Sequence, residues 1–262
     1  ASDVYKRQFE NPRAFQGKGV TTWEGLIKSV RAKVKGTKVK IRLGASSGEW
    51  KAMVADEAAR TTFAKNIKTV LEKNKLDGID LDFEWAENEK EYKDYSLAIL
   101  KMREVLGNKY LFSVSLHPVC YKISKEAIEA VDFISLQCYG PSPVRFPIEK
   151  YCSDIQMVLE YGIPKEKLVA GVPFYGVTKD NSKKTEAYFN FVQNGLVTSP
   201  AQNEVIYQGD TYVFDGQDNI RIKTRYAKEQ KLKGMMSWDL ATDLPLSDSR
   251  SLLKTMTEEL RE

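Results

Sequence analysis

Acidic residues take alternate positions in one short segment, Leu76-Asp77-Gly78-Ile79-Asp80-Leu81-Asp82-Phe83-Glu84-Trp85. In extended backbone, successive side chains point to opposite faces, so Ile79, Leu81 and Phe83 share one face and Asp80, Asp82 and Glu84 share the other. Those three carboxylates span only about 13 Å at roughly 3.3 Å per residue, and neighbours repel if all are ionised. Such a cluster holds a metal, shares protons, or waits for a cationic transition state. A parallel strand is normally buried on both faces and apolar throughout, so a wholly acidic face needs a reason. One reason is an exposed edge strand with a polar outer face. That fits poorly, because the segment follows one long helical pattern, precedes another, and lies between other strand candidates. A magnesium or calcium site is the second, but no further Asp, Asn or His cluster stands at the ends of the other candidate strands.

The elements that must position this segment are legible as apolar, β-branched runs bounded by turn signals, at Lys38 to Leu43, Gly78 to Phe83, Leu111 to Leu116, Phe133 to Tyr139, Leu168 to Phe174 and Met235 to Leu240. Helical patterns separate most of them: Thr22 to Val34, Glu57 to Lys73, Glu89 to Leu106, Ile148 to Tyr161 and Asn219 to Lys231, with Ser247 to Leu260 after the last strand. Tyr92, Tyr95, Ile99, Met102 and Leu106 recur at helical spacing and Gly107 stops that helix. Alternating strands and helices mean a parallel sheet with right-handed crossovers, either doubly wound or closed as a (β/α)8 barrel. Between Phe174 and Met235 the rhythm breaks: a short helix, Thr185 to Gln193, precedes a hairpin over Glu204 to Phe214 around Gly209-Asp210.

Composition narrows the class. The 262 residues are 42% apolar and 29% charged, which suits one compact domain and excludes disorder, coiled coil and collagen. Forty basic residues against 36 acidic leave a net charge of +4, spread along the chain, with no footprint for nucleic acid or a membrane surface. No stretch approaches the roughly 18 apolar residues that span a bilayer, and no signal-peptide pattern opens the chain. Cys120, Cys138 and Cys152 form neither a metal-spaced pair nor an even disulfide set.

Asp77, Asp80, Asp82 and Glu84 match every fixed position of D-x-x-D-x-D-x-E, the strand-four signature of glycoside hydrolase family 18, the chitinases and endo-β-N-acetylglucosaminidases, which this chain therefore resembles. Phe133 to Tyr139 looks like the family's strand six, Gly171 to Gly176 like strand seven and Gly234 to Asp239 like strand eight. The resemblance implies an α/β fold, a TIM (β/α)8-type barrel in one domain over 1–262, with strands three to eight apparent and a small α+β insertion over 177–233. Ala1 to Thr37 cannot supply strands one and two, so the barrel is expected to be N-terminally truncated. Two departures stand out. Arg42-Leu43-Gly44-Ala45 occupies the place of a serine and double glycine on strand three, and Gly140 replaces the polar residue that follows the strand-six tyrosine.

The same resemblance implies substrate-assisted catalysis, in which the substrate's own 2-acetamido oxygen attacks the anomeric carbon, an exception to the usual two-carboxylate scheme. Glu84 would protonate the glycosidic oxygen and then activate water, which a carboxylic acid does near neutrality when burial and a neighbour such as Asp82 favour its protonated form. Asp82 would hold the acetamido N–H and share a proton with the deeper Asp80. Tyr139 would donate to the acetamido oxygen as charge develops. Trp238 resembles the platform under the sugar; Gln137, Tyr175 and His117 are further substrate-binding candidates. Trp50, Trp85, Tyr207 and Tyr212 line outer subsites or pack under loops. No metal or cofactor is implied. The expected partner is an oligo- or polysaccharide containing N-acetylglucosamine, met by a monomeric barrel that is secreted or held in the cell envelope. Related readings are an endo-β-N-acetylglucosaminidase acting on N-glycans and a chitin-binding lectin, although silent lectins of this scaffold typically lose the terminal glutamate.

Overall fold

The structure is a computed structural model that describes residues 23–46, 49–139, 146–180 and 184–261. The chain divides between Ile134 and Ser135 into two compact units. The first runs through α1 (Trp23–Lys33), β1 (Arg42–Ser46), α2 (Trp50–Ala55), α3 (Glu57–Lys73), β2 (Gly78–Asp82), α4 (Glu89–Leu106), β3 (Leu111–Leu116) and α5 (Lys125–Ala130). Strands β1, β2 and β3 lie side by side and parallel, with Gly44 opposite Asp80 and Asp80 opposite Ser113.

Parallel neighbours need a crossover, and the capping residues show where each begins. The Asp56 carboxylate accepts from the Ala59 amide at 2.7 Å to start α3, whose Phe63, Ala64, Ile67 and Leu71 form one buried stripe. Asn88 does the same for α4, accepting from Glu91 at 3.0 Å. That helix buries Tyr95, Ile99, Met102 and Leu106 and ends at Gly107, where φ of 59° favours glycine. The apolar face of β2 joins this core, with Ile79 and Leu81 fully buried and Phe83 stacked on Trp50 at 5.3 Å.

Strand β4 (Phe133–Leu136) carries the division between the units. The second unit continues through α6 (Ile148–Tyr161), β5 (Leu168–Pro173), β6 (Tyr175–Thr178), β7 (Thr185–Ala187), α7 (Tyr188–Gln193), β8 (Glu204–Tyr207), β9 (Asp210–Val213), α8 (Gln217–Glu229), β10 (Gly234–Trp238) and α9 (Leu252–Arg261). Strand β10 pairs parallel with β5, placing Trp238 opposite Pro173. Strands β6 to β9 form an antiparallel sheet in the order β7-β6-β9-β8, and the β8–β9 hairpin turns through Gln208 and Gly209, both at positive φ. Phe191 of α7 anchors that sheet, its ring 5.8, 5.5 and 5.4 Å from those of Tyr207, Tyr212 and Phe214.

Several expectations are corrected. Strand β1 is shifted towards the C-terminus of Lys38 to Leu43, because Ile41 is held ahead of it: its amide donates to the Asp77 carboxylate at 2.8 Å and its carbonyl accepts from the Asp77 amide. The helix expected from Thr185 begins at Tyr188, because Thr185 to Ala187 pair with β6 instead. Helices α2 and α5 and strand β6 were not foreseen. Residues 23–33 of the segment expected to lack strands are helical, while residues 1–22 lie outside the described residues, as does Gly140. Among the described residues no three His, Cys, Asp or Glu side chains gather as a metal site would require, and no helix is long and apolar enough to cross a membrane.

Candidate active site

The acidic strand of the first unit shows a gradient of exposure. Asp80 and Asp82 are half-buried on β2, whereas Glu84, two residues past its end, is exposed. Asp80 is the most tightly held. Its Oδ1 accepts from the Ser113 hydroxyl and its Oδ2 accepts from the Ser115 hydroxyl at 2.7 Å. Burial pushes the Asp80 carboxyl above its ordinary range, opposed by Ser113, Ser115 and the Arg42 guanidinium. The burial expected around Glu84 is thus found at Asp80 instead. Asp77, at the start of the strand, serves the backbone by receiving the Ile41 amide.

Glu84 is placed by its backbone. Its carbonyl accepts the Trp50 indole N–H at 3.1 Å, and Trp50 is itself 1% exposed. Trp50 is therefore a core residue that fixes the strand end and does not line a subsite. Just beyond, the Ala86 amide donates to the Cys120 Sγ at 3.1 Å, and the Trp85 ring lies 4.9 Å from that of His117. His117 is 2% exposed, and its Nδ1 accepts from the Val119 amide at 3.2 Å. All three cysteines are free thiols, and burial pushes that of Cys138 up to about 12.

The candidates of the second unit form an aromatic group. Tyr139 and Gln137 are buried just after β4. The Tyr139 hydroxyl donates to the Met236 sulfur at 3.9 Å, and its ring meets Tyr175 edge-on at 6.4 Å. Phe146 meets Tyr175 in the same way at 6.2 Å. Trp238, at the end of β10, is 54% exposed, which a side chain used as a stacking surface requires. Tyr207 and Tyr212 belong to the cluster around Phe191. The sequence reasoning missed Arg42, Ser113 and Ser115. Their signal was available: polar residues at period two within runs whose alternate members, Leu43, Ala45, Phe112 and Val114, are buried.

The family profile described as "Glycosyl hydrolases family 18" matches residues 9–243, and the chain belongs to that family. It is 23% identical to the "Probable chitinase 2" of Drosophila melanogaster over 79% of this chain and 56% of that relative. The chain spans about half the length of the curated relatives it matches. Among solved structures, a chitinase from Bacteroides thetaiotaomicron superposes with a TM-score of 0.77 at 22% identity, covering 89% of this chain and 80% of that one. A chitinase-like agglutinin from Robinia pseudoacacia reaches 0.75 at 18% identity, over 93% and 87%. These likenesses show the fold, the α/β barrel class of the family. An enzyme and an agglutinin share it, so fold alone does not assign activity.

Proposed function

We propose that the chain is a glycosidase hydrolysing β-1,4 linkages of N-acetylglucosamine polymers, chitin or chito-oligosaccharides, with retention and with the substrate's acetamido group as nucleophile. The observation that carries this is the ordering of the three carboxylates, from Asp80, gripped on both oxygens by hydroxyls, to Glu84, open to a ligand. Glu84 delivers a proton to the leaving oxygen and later takes one from water. Asp82 accepts from the acetamido N–H, and Asp80 behind it shares its proton. Tyr139 donates to the acetamido oxygen, with Gln137 beside it, while Trp238 and Tyr175 offer aromatic faces and edges to the sugar. His117 serves the site through Trp85, against which it packs. The single domain over 1–262 with an insertion over 177–233, the monomeric state, and secretion or retention in the cell envelope belong to the same proposal.

The agglutinin favours a second reading, sugar binding without turnover. Glu84 weighs against it, since a purely binding surface has no use for an exposed acid at the end of a tethered carboxylate row. Hydrolysis of acetylated and fully deacetylated chito-oligosaccharides distinguishes the mechanisms. The acetylated sugar is cleaved and the deacetylated one is bound intact if the acetamido oxygen attacks. Rapid cleavage of the deacetylated sugar, or a trapped enzyme ester, would sink the mechanism in favour of an enzyme nucleophile; binding of both without cleavage would favour the lectin.

A further inference from the structure

Strand β1 reaches the acidic face with an unusual pair of residues. Gly44 stands opposite Asp80 in register and has no side chain, and a Cβ built there would meet nothing within 4 Å. Arg42 shares that face of β1, since Leu43 and Ala45 between and beyond them are buried. Its Nη1 donates to the Ser113 hydroxyl and lies 3.9 Å from Asp80 Oδ1, while its guanidinium covers the Phe133 ring at 4.6 Å.

The direction of these bonds follows from donor inventory. Arginine offers only donors, so Ser113 must accept from it, and the single hydroxyl proton of Ser113 is left for Asp80 Oδ1. Ser115 occupies Oδ2 in the same sense. An ionised Asp80 accepts both bonds, so a Ser113 proton directed at Oδ1 by Arg42 favours the charged form against burial. We infer that Arg42 is a positioning residue which, by turning the Ser113 proton onto Asp80, opposes the burial of that carboxyl and favours its ionised form.

The surrounding charges are accounted for element by element. Asp82 shares the face of β2 with Asp80; from β1 comes Arg42, and from β3 the hydroxyls of Ser113 and Ser115. Ahead of β4, Asp132 supports the Arg42 charge against burial, and is itself engaged by Arg103 of α4 at 2.9 Å and by the Phe112 amide at 2.7 Å. Tyr95 of α4 is fully buried and, through burial first and then Asp80 and Asp82, is held well above its ordinary range, so it stays neutral. Arg42 is the sole cation of this group that approaches Asp80 among the described residues.

The role of Asp80 in turnover rests on the proposed hydrolase activity; its ionisation does not, and the test separates the two. Carboxyl carbon-13 titration, with Asp80 assigned by its absence in Asp80→Asn, is recorded for the wild type, Arg42→Met and Ser113→Ala, beside pH profiles of kcat/KM. The Asp80 titration should move to higher pH in both variants. The acidic limb of kcat/KM should follow it, with activity below the limb falling roughly tenfold per unit moved, and Arg42→Lys should recover part of the shift. An unmoved Asp80 titration overturns the inference whatever the activity does. A moved titration in a chain that hydrolyses nothing upholds it and rejects the hydrolase reading. If Arg42→Met does not fold, Ser113→Ala, which removes only a hydroxyl, gives the decision alone.

Discussion

Strand β2 and the Asp215–Lys223 pair both place charge inside the protein, and they are satisfied in opposite ways. Lys223 of α8 and Asp215 have no exposed side-chain surface. The ammonium donates to the Asp215 carboxylate at 2.5 Å and to the Phe146 carbonyl at 2.7 Å, with the Tyr151 and Phe146 rings 5.5 and 5.9 Å away. Asn219 donates to the other Asp215 oxygen at 3.2 Å. Everything this pair needs is present and nothing from solvent reaches it. The carboxylates of β2 instead run from a bound interior to an open end. A sealed pair cannot change its protonation during a reaction cycle, so its use is geometric: it ties α8 to Phe146 and hence to the ring that abuts Tyr175. A row with one open end can exchange a proton, which is what acid–base chemistry asks of it.

Breaking the sealed pair should give the largest effect on folding. Lys223→Met leaves Asp215 buried without its counter-charge and should cost about 3–5 kcal/mol of stability, read from urea or thermal unfolding. Adding Asp215→Asn should recover part of that loss, because the uncompensated charge is gone. A single variant as stable as the wild type would show that the interior tolerates the charge. On the chemical side, Tyr139→Phe should lower kcat roughly a hundredfold, the scale of one lost donor to a developing oxyanion, with little change in KM. Unchanged kcat would remove Tyr139 from the chemistry.

The smallest effect belongs to a charge left at the surface. Asp248 receives the Arg250 side chain through two nitrogens, at 2.9 and 2.7 Å, and these bonds hold its carboxyl down to about 2. A carboxyl depressed in the folded state stabilises above its unfolded value of about 3.9 and loses that contribution as pH falls towards about 2. With the arginine 48% exposed, the contribution should stay below about 1 kcal/mol. Asp248→Asn should accordingly lower stability by less than about 1 kcal/mol at neutral pH, and its difference from the wild type should vanish as pH falls towards about 2. A loss at neutral pH as large as that of Lys223→Met would erase the contrast between sealed and surface charge.

Where local pattern and tertiary role agree, the elements were legible to the residue. Helices α3, α4 and α6 and strand β3 coincide with the periodic runs that announce them. Strand β1 was misplaced because Lys38 to Leu43 alternates like a strand, while Gly44, Ala45 and Ser46, with weak strand preference, are extended only through pairing with β2. Helices α2 and α5, at six residues each, are too short to show a helical period. The acidic signature located the carboxylates, but which of them is buried depends on neighbouring strands. Ser113 and Ser115 grip Asp80 from β3, about thirty residues downstream, and no local pattern reports that distance in space. Trp50 was undecidable for the same reason: an indole that closes on the Glu84 carbonyl looks, in sequence, like one that stacks on sugar.

The most direct measurement compares binding with turnover in Glu84→Gln, a change that removes the proton donor and preserves its shape. Titration calorimetry with a chito-oligosaccharide should give a Kd within a few-fold of the wild type, and thermal unfolding should be unaltered because the side chain is exposed. On a chromogenic N-acetylglucosamine oligosaccharide, kcat should fall by roughly 10²–10⁴, the range of lost general acid–base catalysis. Turnover equal to that of the wild type would contradict the assignment of Glu84 as the acid, and with it the claim that the open end of β2 is where the chemistry takes place.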